Sequence, residues 1–337
     1  MTMDFSSILI IKLRGTGDVV LSLPVVANLR ARYPDARIDF LVERGSAGII
    51  RGNPWINTVM EFDRKKESDI SFIRRVREGK YDLVLDLFSN PRTALATFLS
   101  GARIRAGYPF RGRAYAYNTK IEPRGSTVHN VEFNLDALRR LNVPILDPSP
   151  RVPLAESDVA AVDQWFCDNQ LTGKPVVALN PNCGRENERW GIENFAALGD
   201  RIAKEFHASL LLVWGPGEET DTARLQSLVK AASLLLPKTT LPQLAAFLKR
   251  CTYFVSNDSG PMHIGAAVGV PTLGIFGPVN PRFQGPYGER NRWINHTALD
   301  CLGCNLLSCP IGIKCMKDLP VEKVFGEFQN LVNLRNF

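Results

Sequence analysis

The chain has 337 residues, of which 45% are hydrophobic and 22% are charged, a balance typical of globular domains and unlike that of disordered chains. This length exceeds what one core usually holds, so two domains are expected. The net charge of +7 predicts a surface that attracts phosphates, nucleic acid or an anionic membrane face, unless it is simply a solvated basic surface. No apolar run reaches the roughly 18 residues that span a bilayer, and no signal peptide is recognised. A cytoplasmic protein is therefore expected.

The first half of the chain alternates apolar runs of strand length with segments of helical spacing. Strands are predicted in SILIIKL, ARIDFLVE, NTVMEF, YDLVLDLF, ARIRAGY and TKIEP. Helices are predicted in VVLSLPVVANLRARY, 45–52, 67–78 and VHNVEFNLDALRRLNV. Near-continuous apolar strands that alternate with helices indicate a parallel sheet covered on both faces.

A proline-rich segment, VPILDPSPRVP, separates the two halves and is typical of a semi-rigid linker. We therefore predict domains at 1–155 and 156–337. The second half repeats the pattern, with strands in PVVALNP, SLLLVWG, YFVSND and PTLGIFG. Its helices are predicted in NFAALGDRIAKEF, ETDTARLQSLVKAA, LPQLAAFLKR and 262–268. The predicted fold class is α/β, with two doubly wound halves.

The turn RGTGD, after the first predicted strand, carries an acid at a predicted helix N-terminus. It has GxG without a third glycine, so the dinucleotide fingerprint is incomplete, and the chain contains no P-loop. Asp18 is either a carboxylate base that faces a cleft or a plain helix cap.

The second such turn is Asp258-Ser259-Gly260, followed by His263. In parallel sheets, ligands bind outside the carboxyl ends of strands, where helix N-termini present free N–H groups. Ser259 and Gly260 could therefore hold a phosphate while Asp258 accepts from a hydroxyl. The alternative is a plain N-cap beside a buried histidine.

Two further turns at predicted strand ends carry charged side chains. Arg185 and Arg189 follow PVVALNP, where guanidinium groups could grip a diphosphate. Glu218 follows SLLLVWG and could accept from ribose hydroxyls. Together these turns predict a nucleotide site on the second half.

The C-terminal region concentrates four thiols, which are Cys301, Cys304, Cys309 and Cys315. The spacing could hold a structural metal, although it lacks the two separated CxxC knuckles of familiar zinc ribbons. Reduced packing thiols are the favoured interpretation, and a structural metal is the alternative.

Several function classes are disfavoured by missing motifs. The GxSxG elbow of many hydrolases is absent, and an NAD-dependent oxidoreductase would need the complete GxGxxG fingerprint. The basic segments lack the interleaved aromatic platforms of single-strand binders, so no nucleic-acid partner is expected.

Four stretches resemble glycosyltransferase family 9, the heptosyltransferases of lipopolysaccharide core assembly. They are ILIIKLRGTGDVVLSLPVVANLRARYP, RWGIENFAALGD, LLVWGPGEE and VSNDSGPMHIGAAVGVPTLGIFGPVNP. The resemblance covers nearly the whole chain and implies a GT-B architecture, in which two Rossmann-like domains face each other across a cleft. It implies an acceptor on the first domain and a nucleotide-sugar donor on the second.

The resemblance also implies an enzyme that takes heptose from ADP-heptose, inverts the anomeric centre and needs no cofactor for the chemistry. In family members a lysine often stands where this chain has Glu188, which leaves Arg185 and Arg189 as the groups that neutralise the leaving ADP. The remaining residues that it implies are a general base at Asp18, an acceptor-side turn at Thr16 and Gly17, a donor turn at Asp258, Ser259, Gly260 and His263, and a ribose-binding acid at Glu218.

The partners expected on this basis are an ADP-sugar donor and a lipid-linked anionic saccharide acceptor. Such an acceptor implies peripheral contact with the cytoplasmic face of the inner membrane. A related transferase with another nucleotide-sugar donor, or a non-catalytic nucleotide-binding protein, is the alternative.

Overall fold

The computed structural model describes residues 4–125 and 127–334. The chain divides into two compact units, Met1–Pro153 and Leu154–Phe337. Each unit contains one six-stranded sheet in which the neighbouring strands are parallel.

The first unit follows a doubly wound order, β3-β2-β1-β4-β5-β6. The strand order reverses between β1 and β4, and this switch point is where ligands bind in open α/β sheets. The strands are β1 Ser7–Ile11, β2 Arg37–Glu43, β3 Thr58–Phe62, β4 Leu83–Asp86, β5 Ile104–Gly107 and β6 Thr119–Lys120. The helices are α1 Thr16–Val20, α2 Leu23–Arg32, α3 Arg44–Ala47, α4 Asp69–Glu78, α5 Pro91–Leu99 and α6 Asn130–Arg140.

The second unit has the order β12-β11-β10-β7-β8-β9, with its switch point between β10 and β7. Its strands are β7 Val176–Asn180, β8 Ser209–Leu212, β9 Ser233–Leu235, β10 Tyr253–Asn257, β11 Thr272–Phe276 and β12 Arg292–Asn295. Its helices are α7 Glu156–Asp168, α8 Ile192–Phe206, α9 Glu219–Leu228, α10 Leu241–Arg250, α11 Gly260–Val268, α12 Pro281–Gln284, α13 Lys314–Lys317 and α14 Val321–Asn333.

The central strands of both sheets are buried on both faces. All residues of β7, β10 and β11 are buried, and in β1 only Ser7 is partly exposed. This explains why their sequences are continuous apolar runs. Trp190 fills the core of the second unit, where it is 1% exposed and its indole Nε1 donates a 2.9 Å hydrogen bond to the carbonyl of Leu319.

The prediction of an α/β chain with two Rossmann-like doubly wound domains is confirmed. The predicted helix in VVLSLPVVANLRARY is divided in the structure, since α1 ends at Val20 and α2 begins at Leu23. Pro24 lies in the first turn of α2, where its missing N–H costs nothing. The helix predicted over 45–52 is also shorter, because α3 ends at Ala47.

Seven of the helices and strands named above had no counterpart in the sequence prediction, namely α5, α7, β9, α12, β12, α13 and α14. The start of α5 is nevertheless encoded locally: Asn90 and Thr93 form a capping box, and Pro91 occupies the first turn. Such a box satisfies two backbone donors at the helix start.

Candidate active site

Asp18 lies in the turn that leaves β1, at the switch point of the first sheet. Gly15 precedes it with φ of 84°, a left-handed conformation that favours glycine. A Cβ atom at Gly15 would lie 2.7 Å from Oδ2 of Asp18, so the carboxylate packs directly against the turn. Asp18 is not the N-cap of α1. Its Oδ1 instead accepts a 2.8 Å hydrogen bond from Nδ2 of Asn130, at the start of α6.

Thr16 and Gly17 shape the same turn. The Thr16 hydroxyl lies 3.2 Å from the Ser46 hydroxyl, which ties the turn to α3. Gly17 is buried, and its carbonyl accepts the 2.9 Å hydrogen bond of the Leu21 N–H. Both residues therefore hold the turn in shape, whereas the carboxylate of Asp18 is the group suited to proton transfer.

A cavity of about 380 Å³ opens beside this turn, within the first unit. Its wall includes Arg14, from the turn itself, Arg64 and Arg92, with Glu43 at the end of β2. Within residues 4–125 and 127–334, the side chains of Arg14 and Arg64 make no ion pair, whereas Arg92 pairs with Asp69. Sequence reasoning missed this pocket, although three arginines close to predicted strand ends were a visible signal.

In the second unit, an asparagine amide connects the two central strands at the switch point. Asn180 ends β7, and its Nδ2 donates to the hydroxyls of Ser256 and Ser259, each at 3.0 Å. Asn257 ends β10, and its Nδ2 donates a 2.6 Å hydrogen bond to the carbonyl of Pro181. The sequence analysis missed Asn180 and Asn257, yet both strands end in asparagine, VVALN and YFVSN.

The predicted donor turn lies where β10 passes into α11. Ser259 occupies the N-cap position, but its hydroxyl is engaged with Asn180 and Ser256 and makes no capping hydrogen bond to α11. The alternative of a plain N-cap beside a buried histidine fits in position, since Ser259 is the N-cap and His263 is buried, but the Ser259 side chain makes no capping bond. Asp258 and Gly260 flank it, both partly exposed, and His263 is buried at 6% exposure one turn later.

Small residues let α11 approach the sheet closely. A Cβ atom at Gly265 would lie 2.5 Å from Cδ1 of the buried Phe254 ring. The helix N-terminus is thereby fixed at the carboxyl end of β10, where its backbone N–H groups and positive dipole end favour an anion.

Two arginines follow β7 on the same edge of the sheet. Arg189 Nη1 lies 3.1 Å from Oδ2 of Asp221, and its Nη2 donates to the Cys183 carbonyl at 3.3 Å. Arg185 Nη1 lies 3.1 Å from Oε1 of Glu188. Burial raises the pKa of Glu188, and the neighbouring Arg185 opposes that shift.

Glu218 is the N-cap residue of α9, in the turn that follows β8. Its Oε2 accepts a 2.9 Å hydrogen bond from the Gly215 N–H, and its carbonyl accepts from the Thr222 hydroxyl at 3.1 Å. One carboxylate oxygen is therefore held by its own turn, which fixes the direction in which the other points.

The predicted donor residues thus share one edge of the second sheet, in the turns that follow β7, β8 and β10. The predicted acceptor-side residues and Asp18 share one turn of the first unit. The two sets of residues belong to separate units of the chain.

The four C-terminal cysteines line one small cavity of about 20 Å³. Sγ of Cys309 accepts a 3.2 Å hydrogen bond from the Ile313 N–H, and the cysteines are free thiols. Among residues 4–125 and 127–334, no group of three or more His, Cys, Asp or Glu side chains is arranged to hold a metal ion. The structure therefore gives no support to the predicted structural metal.

The sequence model of the family described as "Glycosyltransferase family 9 (heptosyltransferase)" matches residues 70–312. Lipopolysaccharide heptosyltransferase 3 of Escherichia coli is 27% identical over 294 residues, covering 82% of this chain and 85% of that protein.

Two solved structures share the fold. The family 9 glycosyl transferase of Veillonella parvula DSM 2008 superposes with a TM-score of 0.87 at 24% identity, over 98% of each chain. The ADP-heptose lipopolysaccharide heptosyltransferase II of E. coli gives a TM-score of 0.79 at 20% identity, over 98% of this chain and all of the other.

These likenesses confirm the predicted GT-B fold class, and the family match confirms the predicted enzyme class, a glycosyltransferase. The family model covers residues on both sides of the division between the units. The chain therefore belongs to glycosyltransferase family 9.

Proposed function

We propose that this enzyme transfers a heptose from ADP-heptose to a sugar of a growing lipopolysaccharide core, with inversion at the anomeric carbon. The family and the names of the relatives supply the sugar and the acceptor class. The observation that carries the proposal is the turn after β10, where Asn180 holds the Ser259 hydroxyl at the start of α11 and this hydroxyl makes no capping bond to the helix.

The second unit binds the donor in this proposal. The N-terminus of α11, with Ser259 and Gly260, receives the diphosphate, since backbone N–H groups at a helix start favour phosphate. Arg189 and Arg185 supply positive charge from the turn after β7. The residues that contact the nucleoside and sugar hydroxyls are Asp258 and Glu218, and His263 completes the donor turn.

The first unit binds the acceptor in this proposal, with Thr16 and Gly17 forming the acceptor-side turn. The 380 Å³ cavity beside it suits a sugar that carries an anionic group. Arg14 and Arg64 are poised for that group because no ion pair engages them in the described chain. The carboxylate of Glu43 and the amide of Asn90 would bind sugar hydroxyls.

Asp18 acts as the general base in this proposal. It takes the proton of an acceptor hydroxyl while that oxygen forms a bond to the anomeric carbon. The bond from this carbon to the donor phosphate oxygen breaks, and ADP leaves with the electron pair. The arginines and the α11 N-terminus stabilise the charge that grows on the diphosphate, which is electrostatic catalysis by preformed groups. The protein side chains provide these roles without a cofactor.

We also propose that the enzyme works at the cytoplasmic face of the inner membrane as a peripheral protein. Its net charge of +7 favours an anionic lipid surface. None of the helices in residues 4–125 and 127–334 has the length and apolar composition that a membrane span requires.

Calorimetric titration with ADP, ADP-heptose, UDP-sugars and NAD, with and without EDTA, tests the donor assignment. We expect ADP and ADP-heptose to bind selectively, with the same affinity in EDTA, and Ser259→Ala to weaken binding about tenfold. Ser227→Ala is the matched control, since Ser227 is exposed on α9 and donates to the Arg224 carbonyl. Preferential binding of a UDP-sugar or NAD would contradict the donor assignment.

A further inference from the structure

A buried ammonium group lies just beyond the carboxyl end of β1. Lys12 is 6% exposed, and its Nζ donates to the carbonyl of Leu87 at 3.3 Å and to Oδ1 of Asn134 at 3.4 Å. Both acceptors are neutral and both bonds are long. A buried charge with such partners needs compensation by opposite charge.

Burial lowers the pKa of Lys12, and the nearby carboxylates of Asp18 and Asp86 oppose that shift. In the described ranges, neither carboxylate forms an ion pair with Nζ within 4.0 Å.

Asp86 is a structural acceptor with its own donors. It accepts hydrogen bonds from the Ser89 N–H at 2.7 Å, the Phe88 N–H at 3.1 Å and the Tyr117 hydroxyl at 2.8 Å. Burial raises its pKa and raises that of Tyr117. Asp18 has a different environment, since it is partly exposed and accepts from Asn130.

Hydrogen bonds connect Lys12 to Asp18 through α6. Asn134 accepts from Lys12, and its own Nδ2 donates to the carbonyl of Asn130 at 2.8 Å and to that of Leu21 at 3.3 Å. Asn130 in turn donates to Asp18 at 2.8 Å. Asn134 is fully buried, so this chain of contacts fixes the first turn of α6 against the turn that carries Asp18.

We propose that Lys12 and Asn130 are positioning residues for the catalytic base. Asn130 orients the Asp18 carboxylate, and Lys12 anchors Asn130 through Asn134. This inference rests on the proposed role of Asp18. The other titratable groups at this helix start are Glu132, in the first turn of α6, and His129, whose Nδ1 accepts from the Val131 N–H at 3.1 Å.

The split between kcat and KM for ADP-heptose tests this proposal. Lys12→Met removes the donor to Asn134, so we expect kcat at neutral pH to fall about tenfold or more because the base is less well positioned, with KM for ADP-heptose little changed. Lys12→Arg keeps a charged donor toward Asn134 and should retain more of the wild-type kcat than Lys12→Met does.

Asn130→Ala is the second variant, and it tests the same proposal if Lys12→Met fails to fold. Asn130 is partly exposed, so its loss spares the core. We expect a lower kcat with unchanged donor affinity. A wild-type kcat in Asn130→Ala, or in folded Lys12→Met, would overturn the proposal.

Asp18→Asn separates this inference from the function on which it rests. If Asp18→Asn turns over at the wild-type rate, the assignment of the base fails, and the roles of Lys12 and Asn130 fail with it. If Asp18→Asn is inactive while folded Lys12→Met keeps the wild-type kcat, only the positioning role is contradicted.

Discussion

The side-chain amide of Asn180 donates a 3.0 Å hydrogen bond to the hydroxyl of Ser259, 79 residues further along the chain. The same amide reaches the Ser256 hydroxyl at 3.0 Å. One side chain at the end of β7 therefore orients the turn that follows β10. Because these groups are fixed before a ligand arrives, binding need not spend free energy on ordering them.

Asn180→Ala should weaken ADP binding about tenfold. It should also lower the free energy of unfolding by about 1–3 kcal/mol, because buried hydroxyls lose their donor. Calorimetry and urea denaturation measure the two effects. Asn169→Ala is the control, since Asn169 makes one comparable side-chain bond, to the Trp165 carbonyl at 2.8 Å, at the end of α7. Wild-type ADP affinity in Asn180→Ala would show that the amide does not organise the site.

Arg189→Ala should reduce ADP affinity by about 10- to 100-fold, since hydrogen bonds to charged groups contribute about 1.5–3 kcal/mol. Asp221 pairs with Arg189 in the free protein, so Asp221→Ala should release the guanidinium and leave ADP binding equal or tighter. Titration calorimetry at a fixed salt concentration compares the ADP affinities of these variants with that of the wild type. Arg201→Ala removes an equal charge from an exposed pair with Glu205 on α8 and should have no effect. Equal losses in Arg189→Ala and Arg201→Ala would mean that only net charge matters.

Gly265→Ala should lower the free energy of unfolding by about 1–3 kcal/mol, the usual range for overpacking. Its added methyl would meet the Phe254 ring at 2.5 Å and push α11 from the sheet, which should also weaken ADP binding. Gly326→Ala, on α14, meets nothing within 4 Å and should stabilise the protein by up to about 1 kcal/mol, because alanine favours helix. Denaturation curves of both variants test this. If Gly265→Ala leaves the free energy of unfolding unchanged, α11 does not pack closely against Phe254.

Glu188→Gln should become more stable relative to the wild type as pH rises. Burial raises the pKa of Glu188 above its ordinary value of 4.5, so the folded state binds a proton more readily than the unfolded state does. The wild type therefore loses stability as pH rises from 4.5 through the folded-state pKa, and the neutral amide avoids this loss. The free energies of unfolding of the wild type and of Glu188→Gln, measured at pH 4 and at pH 7, test this. If the Arg185 pair dominates instead, Glu188→Gln will lose relative stability as pH rises.

The fold could be predicted from the sequence because the buried strands are continuous apolar runs and the helices between them are amphipathic. The turns after β1 and β10 could also be located, since glycines and acids interrupt the apolar pattern there. The roles of those turn residues remain predictions, which the variants above test.

Other parts of the site depend on contacts between distant residues. The bond from Asn130 to Asp18 spans 112 positions, and Asn134 meets Lys12 across 122. The local periodicity of the sequence does not indicate such pairs. A lysine directly after an apolar strand, as Lys12 is, has no sequence feature that distinguishes it from a solvent-exposed residue at a strand end. For the four C-terminal cysteines, the sequence suggested more than the structure supports. Their close spacing along the chain was compatible with a metal site, but their placement in the structure gives that site no support.

Turnover is the most direct test of the central claim, the transfer of heptose from ADP-heptose with Asp18 as base. Wild type and Asp18→Asn should be compared with ADP-heptose and a lipopolysaccharide core acceptor, following ADP release and the mass of the product together. The account predicts a heptosylated acceptor for the wild type. For Asp18→Asn it predicts unchanged ADP-heptose affinity and a rate lower by about 10²- to 10⁴-fold. Transfer by Asp18→Asn at the wild-type rate, or ADP-heptose binding by the wild type without transfer, would contradict it.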